Sequence, residues 1–159
     1  PDAALDLRGS MTIEVLAKLP RVLREEDLHM MVWRGDLQGG KDPYGFSISR
    51  NYLVFRRDFP KHVEVMWPLK NLDPELFHVF CAVHRAEQGL MEIWVDGERV
   101  SAGHVKEQMK YKTEGMSTEI GAQDNGQSQF FKGVIDEIRI FNRALSPFEI
   151  ATEARTLLE

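Results

Sequence analysis

The chain is poor in the residues that build covalent or metal frameworks. Its 159 residues include one cysteine, Cys81, so no internal disulfide can form. Cys81 lies in the apolar run 77–83, where a buried, inert thiol is expected rather than a reactive one. One thiol leaves the redox compartment open. The five histidines are scattered, with neither a His-Glu-x-x-His spacing nor a close pair suited to zinc. Excess positive charge is also missing. A net charge of −5 argues against nucleic acid or an anionic membrane surface as a partner. No apolar run is long enough to span a bilayer, so direct membrane insertion is not expected. No signal peptide opens the chain, which begins with Pro1. We therefore expect residues 1–159 to form a single domain of a longer protein, with targeting signals and other domains outside it.

What is present is strand after strand. The most ordered stretch lies near the end, at residues 129–146. Val134, Asp136, Ile138 and Ile140 fall on one face of an extended chain; Ile135, Glu137, Arg139 and Phe141 fall on the other. This parity expects Asp136 to point inward, held by loop amides or by Arg139 or Arg143, because a buried carboxylate without a partner is costly. Ser146 is an N-cap, Pro147 fits the first helical position, and Glu149 completes a capping box. Ala151, Ala154, Leu157 and Leu158 then follow a helical period.

Earlier, residues 3–7 read as a short first strand. Met11, Ile13, Val15, Ala17 and Leu19 alternate with polar residues, and Leu16, which breaks the polar face, is expected under a neighbouring loop. Residues 28–34 form the next strand, followed by a glycine-rich loop at 35–43. Residues 44–50 and 52–58 make a hairpin joined at Arg50-Asn51, and 62–67 alternates again. Residues 77–83 form a nearly continuous apolar strand, whose inward set the pattern leaves open. Asp96-Gly97 turns a further hairpin. Residues 101–115 and 122–129 are polar.

Phe131-Lys132-Gly133-Val134-Ile135-Asp136-Glu137-Ile138-Arg139-Ile140-Phe141-Asn142-Arg143-Ala144-Leu145-Ser146 closely resembles the signature that closes laminin-G-like domains of the concanavalin A-like lectin/glucanase superfamily. Leu90-Met91-Glu92-Ile93-Trp94-Val95-Asp96-Gly97 and Thr118-Glu119-Ile120-Gly121 resemble internal blocks of the same family. So does Phe77-His78-Val79, with phenylalanine where tryptophan is usual. The resemblance covers nearly the whole chain. It implies an all-β fold: a jelly-roll β-sandwich of two antiparallel sheets with a short C-terminal helix. The first short strand is expected to pair with the closing strand.

The superfamily's glycosidases need two carboxylates on one strand face, about 5–5.5 Å apart in retaining enzymes. Asp136 and Glu137 point to opposite faces, and Asp96 belongs to a turn, so no catalytic residues are expected. Laminin-G-like domains often carry a calcium at the sandwich rim. The resemblance implies Asp42, Asp124 and Asn125 as its ligands, oxygen donors of the type that calcium takes. The same residues are also ordinary turn formers. Sugars are usually met by aromatic faces beside planar polar groups. Tyr44, Trp67 and Gln127 are the ligand-binding candidates, with Tyr52, Phe59 and Tyr111 as further aromatics at strand ends or in loops. Trp33 and Trp94 are expected in the core. The expected function is non-catalytic glycan recognition within a larger extracellular, cell-surface or periplasmic protein. The alternative is a protein–protein adhesion or scaffolding domain without sugar affinity.

Overall fold

A computed structural model describes residues 3–36, 41–123, 126 and 128–159. The strands are β1 (Met11–Lys18), β2 (Leu28–Gly35), β3 (Tyr44–Ser49), β4 (Tyr52–Asp58), β5 (His62–Pro68), β6 (His78–Arg85), β7 (Leu90–Val95), β8 (Glu98–His104), β9 (Ser117–Ile120) and β10 (Val134–Phe141). A helix, α1 (Pro147–Leu158), follows. One antiparallel sheet has the order β10-β1-β6-β7-β8, the other β5-β4-β3-β2-β9. The all-β sandwich read from the sequence is the fold observed.

The core lies between the sheets. From the first sheet come Ile13, Val15, Phe80, Ala82, Ile93 and Val95; from the second come Val32, Phe46, Ile48, Leu53, Phe55 and Val65. The hairpin turns form where expected. Arg50 and Asn51 both have positive φ (51° and 65°), as do Asp96 and Gly97 (51° and 86°), the pairing that a two-residue turn needs to match strand twist.

Residues 3–7 do not form a strand. Ala3–Leu5 is a 3-10 turn, and the partner of β10 is β1. The carbonyls of Leu5 and Leu7 instead accept hydrogen bonds from the buried Tyr44 hydroxyl and Arg57 guanidinium. The segment is therefore bound by side chains from the other sheet.

Asp136 also differs from the expectation. The β1–β10 register runs Leu16 to Glu137 and then Ala17 to Ile135, leaving Asp136 unpaired in a bulge. Ile135 faces the core before the bulge, and Ile138 and Ile140 face it afterwards. Asp136 is exposed. Arg139 bonds Glu137 and Glu153, while Arg143 bonds Glu149. One extra residue thus releases the carboxylate to water.

Helix α1 covers the outer face of the first sheet. Ser146 accepts the Glu149 N–H at 3.1 Å, and the Glu149 carboxylate accepts the Ser146 N–H at 3.1 Å, completing the capping box. Ala154 and Leu157 pack on Leu16 and Val79, which gives Leu16 a helical cover rather than a loop. Leu145 and Ile150 pack on Cys81 and Trp94. Trp94 is therefore buried under the C-terminal segment, outside the inter-sheet core.

Gly133 enters β10 where a Cβ would sit 2.2 Å from the Lys18 carbonyl oxygen and 2.9 Å from the Leu19 carbonyl carbon. Backbone on both counts cannot yield easily. Gly133→Ala should destabilise the domain by at least about 2 kcal/mol, against about 1 kcal/mol for Ser146→Ala. Denaturant melts of both variants check the ranking, and a wild-type midpoint for Gly133→Ala would refute the close approach.

Glu14 lies under this cover, 1% exposed, with neither carboxylate oxygen hydrogen-bonded. Burial, reinforced by Glu153 of α1 and Glu137 of β10 and opposed by Arg139, lifts it to about 7. Cys81 of β6 is its cross-strand neighbour. The folded state holds this proton more tightly than the unfolded chain, whose value is 4.5. The resulting stabilisation is complete below the unfolded value and is lost as pH rises through about 7. Glu14→Gln should flatten that decline and raise the melting temperature at about pH 8. Parallel pH–melting profiles for the two proteins would contradict the assignment.

Candidate functional site

Cross-strand register builds a groove on the outer face of the second sheet. Residues opposite one another share a face. One row runs Met30, Ser47, Val54, Met66 across β2, β3, β4 and β5. The next runs Trp33, Gly45, Arg56, Glu64 over the same strands. Four strands span roughly 14 Å at the usual strand spacing. Gln123 and Gln129 close one side and Arg50 the far end, enclosing a cavity volume of about 480 Å³. The absent side chain at Gly45 leaves the middle of the second row low, with the Trp33 ring 3.9 Å from where a Cβ would stand.

Trp33 is 2% exposed, but it lies in the wall of this groove and not between the sheets. Its ring lies along its own strand over Gly35, where a Cβ would come 2.2 Å from the ring and 2.6 Å from an Asp42 carboxylate oxygen. The glycine is therefore what leaves room for the indole and the Asp42 carboxylate side by side.

The acidic end is tightly connected. Arg56 donates from Nε and Nη2 to the two Asp58 carboxylate oxygens at 3.0 and 3.1 Å, and its Nη2 lies 3.7 Å from Asp42. Asp58 also accepts the Asp42 backbone N–H at 2.9 Å, and the Asp58 N–H donates to the Asp42 carbonyl at 3.0 Å. His62 stands 3.4 Å from Asp58 and 2.6 Å from Glu64. Burial raises Asp42 above the usual carboxylate range, and Asp58 and Asp36 add to this. The Trp33 indole and Arg56 oppose the rise. The Trp33 N–H falls short of full hydrogen-bond geometry, so it acts here as a nearby dipole.

Of the residues singled out in the sequence, Asp42 lies in the groove. Asp124, Asn125 and Gln127 lie outside the described residues. Among the described residues no group of three or more His, Cys, Asp or Glu is placed to hold a metal ion. Tyr44 is not available to a ligand: it points inward with no exposed surface, and its hydroxyl donates to the Leu5 carbonyl at 3.0 Å. The spacing Tyr44, Phe46, Ile48 carried that signal, because all three share one face of β3. Trp67 is half-buried against the core, cross-strand from Leu53. Phe59 is buried, edge-on to His84. Tyr111 is partly buried and donates its hydroxyl to the Asp58 carbonyl. Tyr52 is the exposed aromatic of that set.

The sequence reading missed Met30, Ser47, Val54, Arg56, Glu64 and Met66. Each is an ordinary strand residue until register places it beside the others.

A family model of laminin-G type, described as the Concanavalin A-like lectin/glucanases superfamily, matches residues 1–151. The chain belongs to that superfamily. No curated protein matches it in sequence. Among solved structures, Ruminococcus gnavus IT-sialidase CBM40 bound to α2,3-sialyllactose is similar with a TM-score of 0.77 at 14% identity, over 96% of this chain and 86% of that one. The binding domain of botulinum neurotoxin DC in complex with SialylT gives 0.68 at 14% identity, over 95% of this chain and 36% of that one. The complex of that domain with rat synaptotagmin II gives 0.67 at 14% identity, over 97% and 37%. This chain thus spans little more than a third of the neurotoxin domains. At such identity the likeness shows the superfamily's sandwich and nothing finer. No helix among the described residues is long and apolar enough to cross a membrane.

Proposed function

We propose that this chain is a non-catalytic binding module that recognises a glycan along the groove of the second sheet, as one domain of a larger extracytoplasmic protein. The observation that carries the reading is the row Met30, Ser47, Val54, Met66 laid beside Arg56, Glu64, Gln123 and Gln129. An apolar strip supports the C–H face of a sugar ring, and the flanking amides, guanidinium and carboxylate meet its hydroxyls. The similar folds solved with sialyllactose and SialylT support a sugar as the kind of ligand. Against catalysis stands the engagement of two acids of this face: Asp58 is bound by Arg56, and Glu64 by His62. The acids of the closing signature lie on β10, in the other sheet.

A protein ligand is the second reading, favoured by the likeness to a domain solved with rat synaptotagmin II. A glycan array separates the two. Met66 is 43% exposed and its side chain takes no hydrogen bond, so Met66→Asp should keep the fold while cutting array binding about tenfold or more. Incubation with β-glucans, galactans and uronate polymers should release no reducing ends or unsaturated products. A silent array, or turnover, would refute the proposal.

Calcium is proposed separately, with Asp42 as a ligand from the groove end and Asp124 and Asn125 from the 122–129 loop. Calcium bound only to the folded state raises the melting temperature by mass action. Melting in excess calcium should then exceed melting in chelator, and Asp42→Ala should remove the difference. Equal melting temperatures in the wild-type protein would dismiss the ion.

A further inference from the structure

We propose that the groove selects uncharged, hydroxyl-rich glycans and discriminates against sialylated or uronate-bearing ones, an inference that rests on the glycan reading above. The guanidinium at the centre of the groove is already occupied. Arg56 places Nε and Nη2 on the two oxygens of Asp58, reaches to 3.7 Å from Asp42, and faces Glu64 directly across the β4–β5 ladder. An acidic sugar would have to share Arg56 with Asp58, through the Nη1 donors that Asp58 leaves free. Sharing sets the ligand's carboxylate beside those of Asp58, Asp42 and Glu64, whose repulsion offsets the attraction of one guanidinium.

The surrounding charge points the same way. On this face the described residues set the carboxylates of Asp42, Asp58, Glu64 and Glu119 against the guanidiniums of Arg50 and Arg56. Arg50 lies exposed on the β3–β4 turn, where water and salt screen it. Lys41, at the rim, lies 4.7 Å over the Tyr111 ring.

The unpaired polar atoms here are two acceptors and one donor, the Trp33 indole N–H, and a neutral hydroxyl can serve either kind. Gln129 Oε1 and Glu119 Oε2 are buried without a hydrogen-bond partner, and Gln129 lines the groove. Glu119 lies cross-strand from Trp33, on the groove side of the sheet. A buried acceptor is satisfied by a donor, and a sugar hydroxyl is one. A ligand carboxylate brings only further acceptors. Ser47 and the amides of Gln123 and Gln129 supply the donors that neutral hydroxyls return to, and Met66 and Val54 supply the apolar strip.

The test is an array of neutral oligosaccharides, each printed beside its sialylated or uronate counterpart. It is probed with the wild-type domain and with Glu64→Gln and Glu64→Lys, whose side chains stand at an exposed position. The wild-type domain should bind neutral members in preference to their acidic counterparts, and added salt should narrow the gap. Each unit of charge changed at Glu64 should raise the acidic-to-neutral ratio by about fivefold, Lys above Gln. Preference of the wild-type domain for acidic members, or ratios that ignore Glu64, would overturn the selectivity and leave the glycan reading standing. Binding to no member of any pair would overturn both.

Discussion

Arg57 is a guanidinium sealed inside the sandwich, and its hydrogen bonds go to carbonyls and an imidazole rather than to a carboxylate. Nε donates to the Pro43 carbonyl at 2.9 Å, Nη1 to the Gly9 carbonyl at 2.6 Å, and Nη2 to the Leu7 carbonyl. Nη1 also meets His84 Nδ1 at 2.7 Å, a contact that requires that nitrogen to be the unprotonated acceptor. Burial draws Arg57 down to about 10, still charged at neutral pH. Burial and the neighbouring Arg57 together draw His84 down to about 4, which keeps the imidazole neutral. A desolvated cation is tolerated only when each donor finds a dipole, so the cation dictates where four separate pieces of chain must lie. They are the segment before β1, the approach to β3, β4 itself and β6 of the opposite sheet.

The groove inherits its geometry from that demand. Arg56 and Arg57 are consecutive on β4 and therefore face opposite ways. One binds the inside of the Asp42–Pro43 corner through the Pro43 carbonyl. The other reaches the outside of it through Asp42 and Asp58. The corner is thus held from both sides of the sheet, and the acidic end of the groove is fixed by a residue no ligand touches. Tyr44 and Arg34 extend the same logic at this end of the sandwich. Tyr44 binds the Leu5 carbonyl, and Arg34 binds Thr113 and Thr118.

Where the structure follows from local chemistry, the sequence was a good guide. Glycines and asparagine at turns, the Ser146 cap and the alternation of β1 all act within a few residues, and each was legible. The parity of β10 was not, because one bulged residue at Asp136 exchanges the faces on either side and leaves no mark in composition. The 3-10 turn at Ala3–Leu5 was hidden for a different reason: its carbonyls are claimed by Tyr44 and Arg57, far away in sequence. The candidate site was the least legible part. Aromatic residues near loops drew attention to Tyr44 and Trp67, which serve the core. The groove residues Met30, Val54, Arg56 and Met66 become a surface only after four strands are aligned. Asp42 was singled out through the family resemblance, as a calcium ligand, and the structure lays it at the acidic end of the groove.

The strand order also sets a sequence of events. β2, β3, β4 and β5 are consecutive in the chain and neighbours in their sheet, so most of the second sheet can assemble from local hairpins. The first sheet cannot, because β1 lies between β6 and β10, and β10 ends at Phe141. During synthesis the inner face of the groove-bearing layer, Phe46, Ile48, Leu53 and Phe55, would wait for β6 to β8, which can join the already made β1 once His104 has emerged. The strand bearing the family signature comes last and joins at the sheet's edge, so its timing governs how long the flank of the core beneath Ile135, Ile138 and Ile140 stays open to its neighbours.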